Sequence, residues 1–124
     1  AGWKGLAAGV IDNTVAAMSA AGVDASSVIA YIGPGIGPRA FEVGDEVREA
    51  YVGRDPGAQG AFSAHGPGKW LADLPALVRR ALARCGVGAV YGGNLCTYSD
   101  PARFYSYRRD KVTGRMAALI WRME

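Results

Sequence analysis

The glycines of this chain are gathered, and where they gather limits the length of every strand around them. The sequence has 18 glycines, clustered in "GPGIGP", "GPGK" and "YGGN". Two clusters directly follow short apolar runs, "VIAYI" at Val28–Ile32 and "AVY" at Ala89–Tyr91. The first run, with its β-branched residues, reads as a buried strand, and the second as a short strand that stops at Gly92 and Gly93. Glycine and proline clusters stop a strand and allow backbone shapes closed to other residues. The sheets must therefore be built from short strands that end in tight turns.

Between these strands the periodicity is helical. Leu6, Val10, Val15 and Met18 give an apolar stripe over Leu6–Ala21, with Gly22 as its stop. Asp45–Val52 reads as a short helix, and "GRDPGAQG" as a surface loop. Asp73–Arg84 is a helix with Asp73 as N-cap and Pro75 in its first turn. Its apolar face is Leu74, Leu77, Val78, Ala81 and Leu82, and Gly86 ends it. Phe104–Arg108 and Arg115–Trp121 read as two strands of a hairpin closed by "RDKVTG", with Gly114 available for a positive φ. "MAALIW" is apolar on both pleat faces, a pattern of strands covered on both sides. Helices and strands mix without strict alternation, so the expected class is α+β, one domain over residues 1–124.

Several functions are disfavoured by composition. With 14 basic against 11 acidic residues the chain carries a formal charge of +3. The charges are interspersed and there is no polybasic tail, so no nucleic-acid partner is expected. No apolar run approaches the ~20 residues of a membrane span. Two cysteines, Cys85 and Cys96, are too few for a disulfide scaffold and suit reduced thiols and a cytoplasmic location. A catalytic zinc site takes about three protein ligands; with one histidine, His65, and those two cysteines in unrelated segments, no complete metal site is expected within the chain.

Five stretches have chemical potential, each with a plainer alternative. "AGWKG" precedes a helix, where N–H groups and Lys4 attract an anion; otherwise Trp3 packs on the core. "IGPGIG" lacks the Gly-Lys-Ser/Thr ending of a P-loop and is either a rigid turn or a close approach to a ligand. Cys96 in "LCTY" is a nucleophile, a ligand or a small buried residue. His65 in its loop is solvent-facing or a local hydrogen-bond partner. "FYSYRRD" supplies Arg108 and Arg109, suited to a phosphate or carboxylate or to pairing with Asp110 or Glu46. Only one of two adjacent strand residues faces a given pocket.

Taken in order and spacing, "AGWKGLAAGVI", "IGPGIGPRAFEVGDEVREAY", "GKWLADLPALVRRAL", "GGNLCTY" and "FYSYRRDKVTGRMAALIW" resemble the C-terminal half of the laccase-domain family. The likeness runs from Ala1 to Trp121. That family is known both as polyphenol oxidase and as purine nucleoside phosphorylase with adenosine deaminase activity. The resemblance implies layered mixed sheets flanked by helices, a fold grouped with deamidating cytotoxic toxins as cysteine-hydrolase-like.

It also implies a zinc or copper ion held by two histidines and one cysteine, all preceding Ala1. The family motif is His-Ala-Gly-Trp-Arg/Lys-Gly, so its histidine stands just before Ala1 and no ligand maps onto this chain. A fragment that is inactive alone, paired with its missing N-terminal half, is the expectation. The implied partners are a purine nucleoside and phosphate. Candidate contacts are Trp3, Lys4 and Gly5 for phosphate, Gly33, Pro34 and Gly35 for the pocket wall, Arg108 or Arg109 for further anion contact, and Tyr98 or Trp3 for the base. A copper-dependent phenol oxidase and a non-catalytic interaction module are the alternatives.

Overall fold

The computed structural model describes residues 1–123. It is an α+β fold with two small sheets. Helices α1 (Trp3–Ala7) and α2 (Val10–Ala20) open the chain, and strand β1 (Ile29–Ile32) follows. Next come β2 (Glu42–Gly44), α3 (Asp45–Val52), β3 (Phe62–Ala64) and β4 (Lys69–Ala72). Helix α4 (Leu74–Arg84), β5 (Ala89–Gly92) and the helical turn α5 (Tyr107–Asp110) complete it.

The single helix expected over Leu6–Ala21 is two. Gly9 adopts φ +90, a left-handed conformation that ends α1 and starts α2. The Arg54 Nη1 donates to the Ala7 carbonyl at 2.6 Å, satisfying an acceptor at the break. The break also rotates the expected stripe: Leu6 and Val15 are buried, Val10 faces outward, and Ile11 packs inward instead. Helix α4 forms as its sequence requires. Asp73 accepts from the Ala76 N–H at 2.9 Å, and Leu77, Ala81 and Leu82 enter the core.

Strands β2, β4 and β3 form an antiparallel sheet in that order, and none of the three was expected. Each has only three or four residues, too few to display a period of two. The sheet and α3 enclose the larger core, with Phe41, Val43, Val47, Tyr51, Phe62 and Ala72 buried. The segment read as a surface loop, "GRDPGAQG", supplies most of a 3₁₀ helix over Pro56–Ala61 that buries Ala58 and Ala61. Asp55 anchors it, accepting from Arg80 at 2.7 and 2.8 Å.

Strands β1 and β5 pair in parallel, Ile29 with Ala89 through Ile32 with Gly92. Parallel pairs are ordinarily covered on both faces. Here Ile29, Tyr31 and Tyr91 remain 70%, 62% and 59% exposed.

The expected C-terminal hairpin is not present. Residues 104–106 lead into α5, which takes up Tyr107 and Arg108 and is capped by Ser106, whose hydroxyl accepts from the Arg109 N–H at 3.3 Å. The positive φ falls on Lys111, not on Gly114. The stretch 115–121 has no strand partner among the described residues. Leu119, Ile120 and Trp121, read as covered on both sides, are 82%, 88% and 75% exposed. A strand needs a neighbour to satisfy its backbone, and among the described residues no strand pairs with this segment.

Candidate functional site

The most constrained polar neighbourhood lies at the carboxyl ends of β1 and β5, where parallel strands release their chain into loops. This is the usual place for a ligand in such sheets. Past Ile32 the chain runs Gly33–Gly37, and past Gly92 it runs Gly93–Tyr98. The two loops continue the ladder. The Gly93 N–H donates to the Ile32 carbonyl at 2.9 Å, and the Thr97 N–H to the Gly35 carbonyl at 2.9 Å. Gly92 holds φ +78, and a Cβ there would collide with the Ile32 carbonyl.

Cys96 sits at this junction. Its Sγ accepts from the Gly37 N–H at 3.2 Å and from the Ser99 hydroxyl at 3.3 Å. Burial works against the thiolate, but the Ser99 hydroxyl and the N–H groups of Gly37, Ser99 and Tyr98 outweigh it. The net effect holds the thiol below its usual range. The thiolate is the reactive form of cysteine. Gly37 is the glycine that touches Cys96: a Cβ there would lie 3.1 Å from the Cys96 Cβ. Among the expected wall residues, Gly35 has open space beside it, and a Cβ at Gly33 would lie 3.9 Å from the Ala118 Cβ. Gly37 and Ser99 were missed as candidates. Ser99 stands three residues after Cys96, a spacing at which one turn returns a hydroxyl to the thiol.

Arg109 is committed to the protein. Its Nη1 donates to the carbonyls of Thr97 and Tyr98 at 2.9 and 3.1 Å, and its Nη2 to that of Phe104 at 3.0 Å. Nε and Nη2 also bind Asp110, at 3.0 and 2.8 Å. A guanidinium has five N–H donors, so this pattern leaves none for an anion. Arg109 ties the Thr97–Phe104 loop together and thereby holds Tyr98. The Asp110 partnership is the plainer alternative weighed for it above. Beside it Pro101, Phe104, Tyr105 and Met116 line an opening of about 480 Å³.

Arg108 points elsewhere. Its Nη1 donates to the Glu42 carbonyl at 2.7 Å, and its guanidinium lies 5.1 Å from the centre of the Phe41 ring. The Glu42 carboxylate also lies 3.5 Å from His65 Nε2, a pair that is ionic only when His65 is protonated.

Trp3, Lys4 and Gly5 belong to α1. The Trp3 carbonyl accepts from the Tyr51 hydroxyl at 2.6 Å, and the Trp3 ring packs against the larger core. Burial pushes the Tyr51 hydroxyl up to about 12. The Lys4 ammonium lies 5.7 Å from the Trp3 ring centre and makes no ion pair among the described residues. Gly5 lies inside the helix, where a Cβ would lie 4.0 Å from the Val10 side chain. None of these hydrogen bonds connects α1 to Cys96.

Among the described residues no three His, Cys, Asp or Glu side chains converge. Cys96 has neutral donors around it, and His65 has one carboxylate. The donor set of the described residues does not fit a metal site. Among the described residues, no helix is long and apolar enough to cross a membrane.

The parallel pair thus ends in glycine loops around a cysteine, beside an antiparallel sheet with α3 packed on it. Residues 1–123 match the family described as multi-copper polyphenol oxidoreductase laccase, and the chain belongs to it. Among individual relatives, it is 51% identical to purine nucleoside phosphorylase YfiH of Escherichia coli over 121 residues, 98% of this chain and 48% of that protein. It is 52% identical to purine nucleoside phosphorylase PA4543 of Pseudomonas aeruginosa over 122 residues, 98% of this chain and 49% of that protein. Among solved structures, Neisseria meningitidis protein NMB0706 superposes with a TM-score of 0.85 at 52% identity, covering 89% of this chain and 44% of that one. YlmD from Geobacillus stearothermophilus gives 0.84 at 30% identity, with 90% and 43% covered. The chain spans about half the length of the relatives it matches.

Proposed function

We propose that this chain is the C-terminal half of a purine nucleoside phosphorylase acting on adenosine and inosine, with adenosine deaminase activity. The observation that carries this reading is identity of 51–52% over 98% of the chain to two relatives that bear the phosphorylase name. Phosphorolysis requires phosphate held beside the anomeric carbon, the purine held in place and charge balanced in the transition state. Lys4, with no carboxylate partner among the described residues, is the phosphate contact in this reading, and Gly5 belongs to the same turn. Tyr98, positioned by Arg109, or Trp3 offers the aromatic face for the base. Gly33, Pro34 and Gly35 form the wall. Arg109 acts through its loop, and Arg108 steadies α5 against β2. Zinc, or alternatively copper, would be held by residues outside this chain, because the donor set here does not fit one.

The protein's remaining polypeptide is the expected partner. Support comes from the parallel pair β1–β5, whose Ile29, Tyr31 and Tyr91 lack the cover that parallel sheets usually receive. In this reading the 124 residues alone are inactive. A copper-dependent phenol oxidase is the second reading, favoured by the family's description.

The test is phosphate-dependent release of hypoxanthine from inosine by the full-length protein, with phenol oxidation assayed alongside. Release is expected. Phenol oxidation without release would favour the second reading. Lys4→Ala should raise the phosphate KM by about tenfold, the loss of one exposed charged contact of ~1.4 kcal/mol. An unchanged KM removes Lys4 from the phosphate site.

A further inference from the structure

A second open cleft, of about 470 Å³, shares no lining residue with the Cys96 loops or with Lys4. It lies where the α1–α2 elbow meets the end of α3, the 3₁₀ turn after Asp55 and one face of α4. Leu6, Ala58, Leu77 and Ala81 make its apolar floor. Arg54, Arg80 and Arg84 line it with Asp12 and Asp55. Three guanidiniums against two carboxylates leave one positive charge over.

The three arginines are unequally committed. Arg80 is paired twice with Asp55, at 2.7 and 2.8 Å. Arg54 uses one donor, on the Ala7 carbonyl at 2.6 Å. Among the described residues Arg84 makes only two long contacts, both 3.4 Å, one to Asp12 and one to Asp55. Arg54 and Arg84 thus retain most of their five donors. They have surplus charge above an apolar floor in a cleft of ordinary ligand size.

We infer that this cleft is a second binding site, for a small organic anion: one carboxylate or phosphate on a compact apolar body. Arg54 and Arg84 hold the acid group, the floor takes the body, and the Asn13 amide at the rim offers a further polar contact. Guanidinium forks suit both acid groups. Asp12 competes with the ligand for Arg84.

The test is a calorimetric titration of the full-length protein with phenyl phosphate and with benzoate. Inorganic phosphate serves as the acid without a body, and benzyl alcohol as the body without an acid. At least one of the two aromatic acids should saturate, at least about tenfold more tightly than either control. Which acid wins identifies the group. Arg84→Gln should weaken that binding by about tenfold or more, and Asp12→Asn should tighten it. Lys4→Ala should leave it unchanged, so the result is independent of the phosphorylase reading. The inference is overturned if neither acid saturates, if the controls bind equally well, or if Arg84→Gln and Asp12→Asn both leave the affinity unchanged.

Discussion

Tyr51 links the fold to the candidate phosphate contact, and Tyr51→Phe isolates that link. The ring is buried and lies 6.0 Å from the Phe62 ring, centre to centre, with the planes tilted by 45°. Phenylalanine keeps that packing and removes one hydroxyl, so the cavity cost is small. What is lost is the 2.6 Å hydrogen bond to the Trp3 carbonyl. A net intramolecular hydrogen bond contributes ~1 kcal/mol, and the half-buried acceptor left behind adds to the loss, so the expected cost is about 1–2 kcal/mol.

The pH dependence has a definite sign. Burial raises the hydroxyl from 10.0 to about 12 in the folded state. The folded state therefore keeps a proton that the unfolded chain releases earlier. This contribution to stability is fully present below pH 10 and is lost as pH rises towards about 12. Urea unfolding of the full-length protein and of Tyr51→Phe, each at neutral pH and across that window, reads both effects. The variant should start less stable and lose less on the way up. Equal stability at neutral pH, or parallel loss through the window, would refute the reasoning. If α1 carries the phosphate contact, the same variant should also raise the phosphate KM.

Three further outcomes follow from the geometry. Ser99→Ala should shift the pH midpoint of iodoacetamide labelling at Cys96 upward, read site by site by mass spectrometry, because it removes a hydrogen bond that favours the thiolate; an unmoved midpoint removes Ser99 from that role. Leu77→Ala empties a site at the junction of α4 and the larger core and should cost about 2–4 kcal/mol in denaturant unfolding; a cost below ~1 kcal/mol would mean the site collapses. Gly92→Ala requires a left-handed alanine whose Cβ meets the Ile32 carbonyl. It should cost at least ~1–2 kcal/mol, and a melting temperature equal to wild type would show that the β1 and β5 ends are not held as described.

Local chemistry determined what could be read without the fold. Helix α4 has its own cap in Asp73, its own proline at the first turn and a complete apolar face, and it formed as expected. Both strands ended at their glycines: β5 stops where Gly92 and Gly93 take positive φ, and β1 stops where the Gly33–Pro34 turn begins. The α1–α2 break at Gly9 was less visible, since one glycine in a periodic stretch is compatible with a continuous helix; an arginine 47 residues away in sequence caps the break.

The family was legible from ordered motifs, and Cys96 from its place after a strand. The partners that lower its thiol were not. Gly37 reaches Cys96 across 59 positions of sequence, and hydrogen bonding at that separation has no local signature. Arg108 and Arg109 appear alike in the sequence, as two adjacent cations. Only tertiary structure sent one to β2 and closed the other around three carbonyls. The residues after Lys111 show the converse: a pattern apolar on both faces states a preference for a strand, but a strand is a paired state, and the neighbour that would pair with it is supplied by the fold.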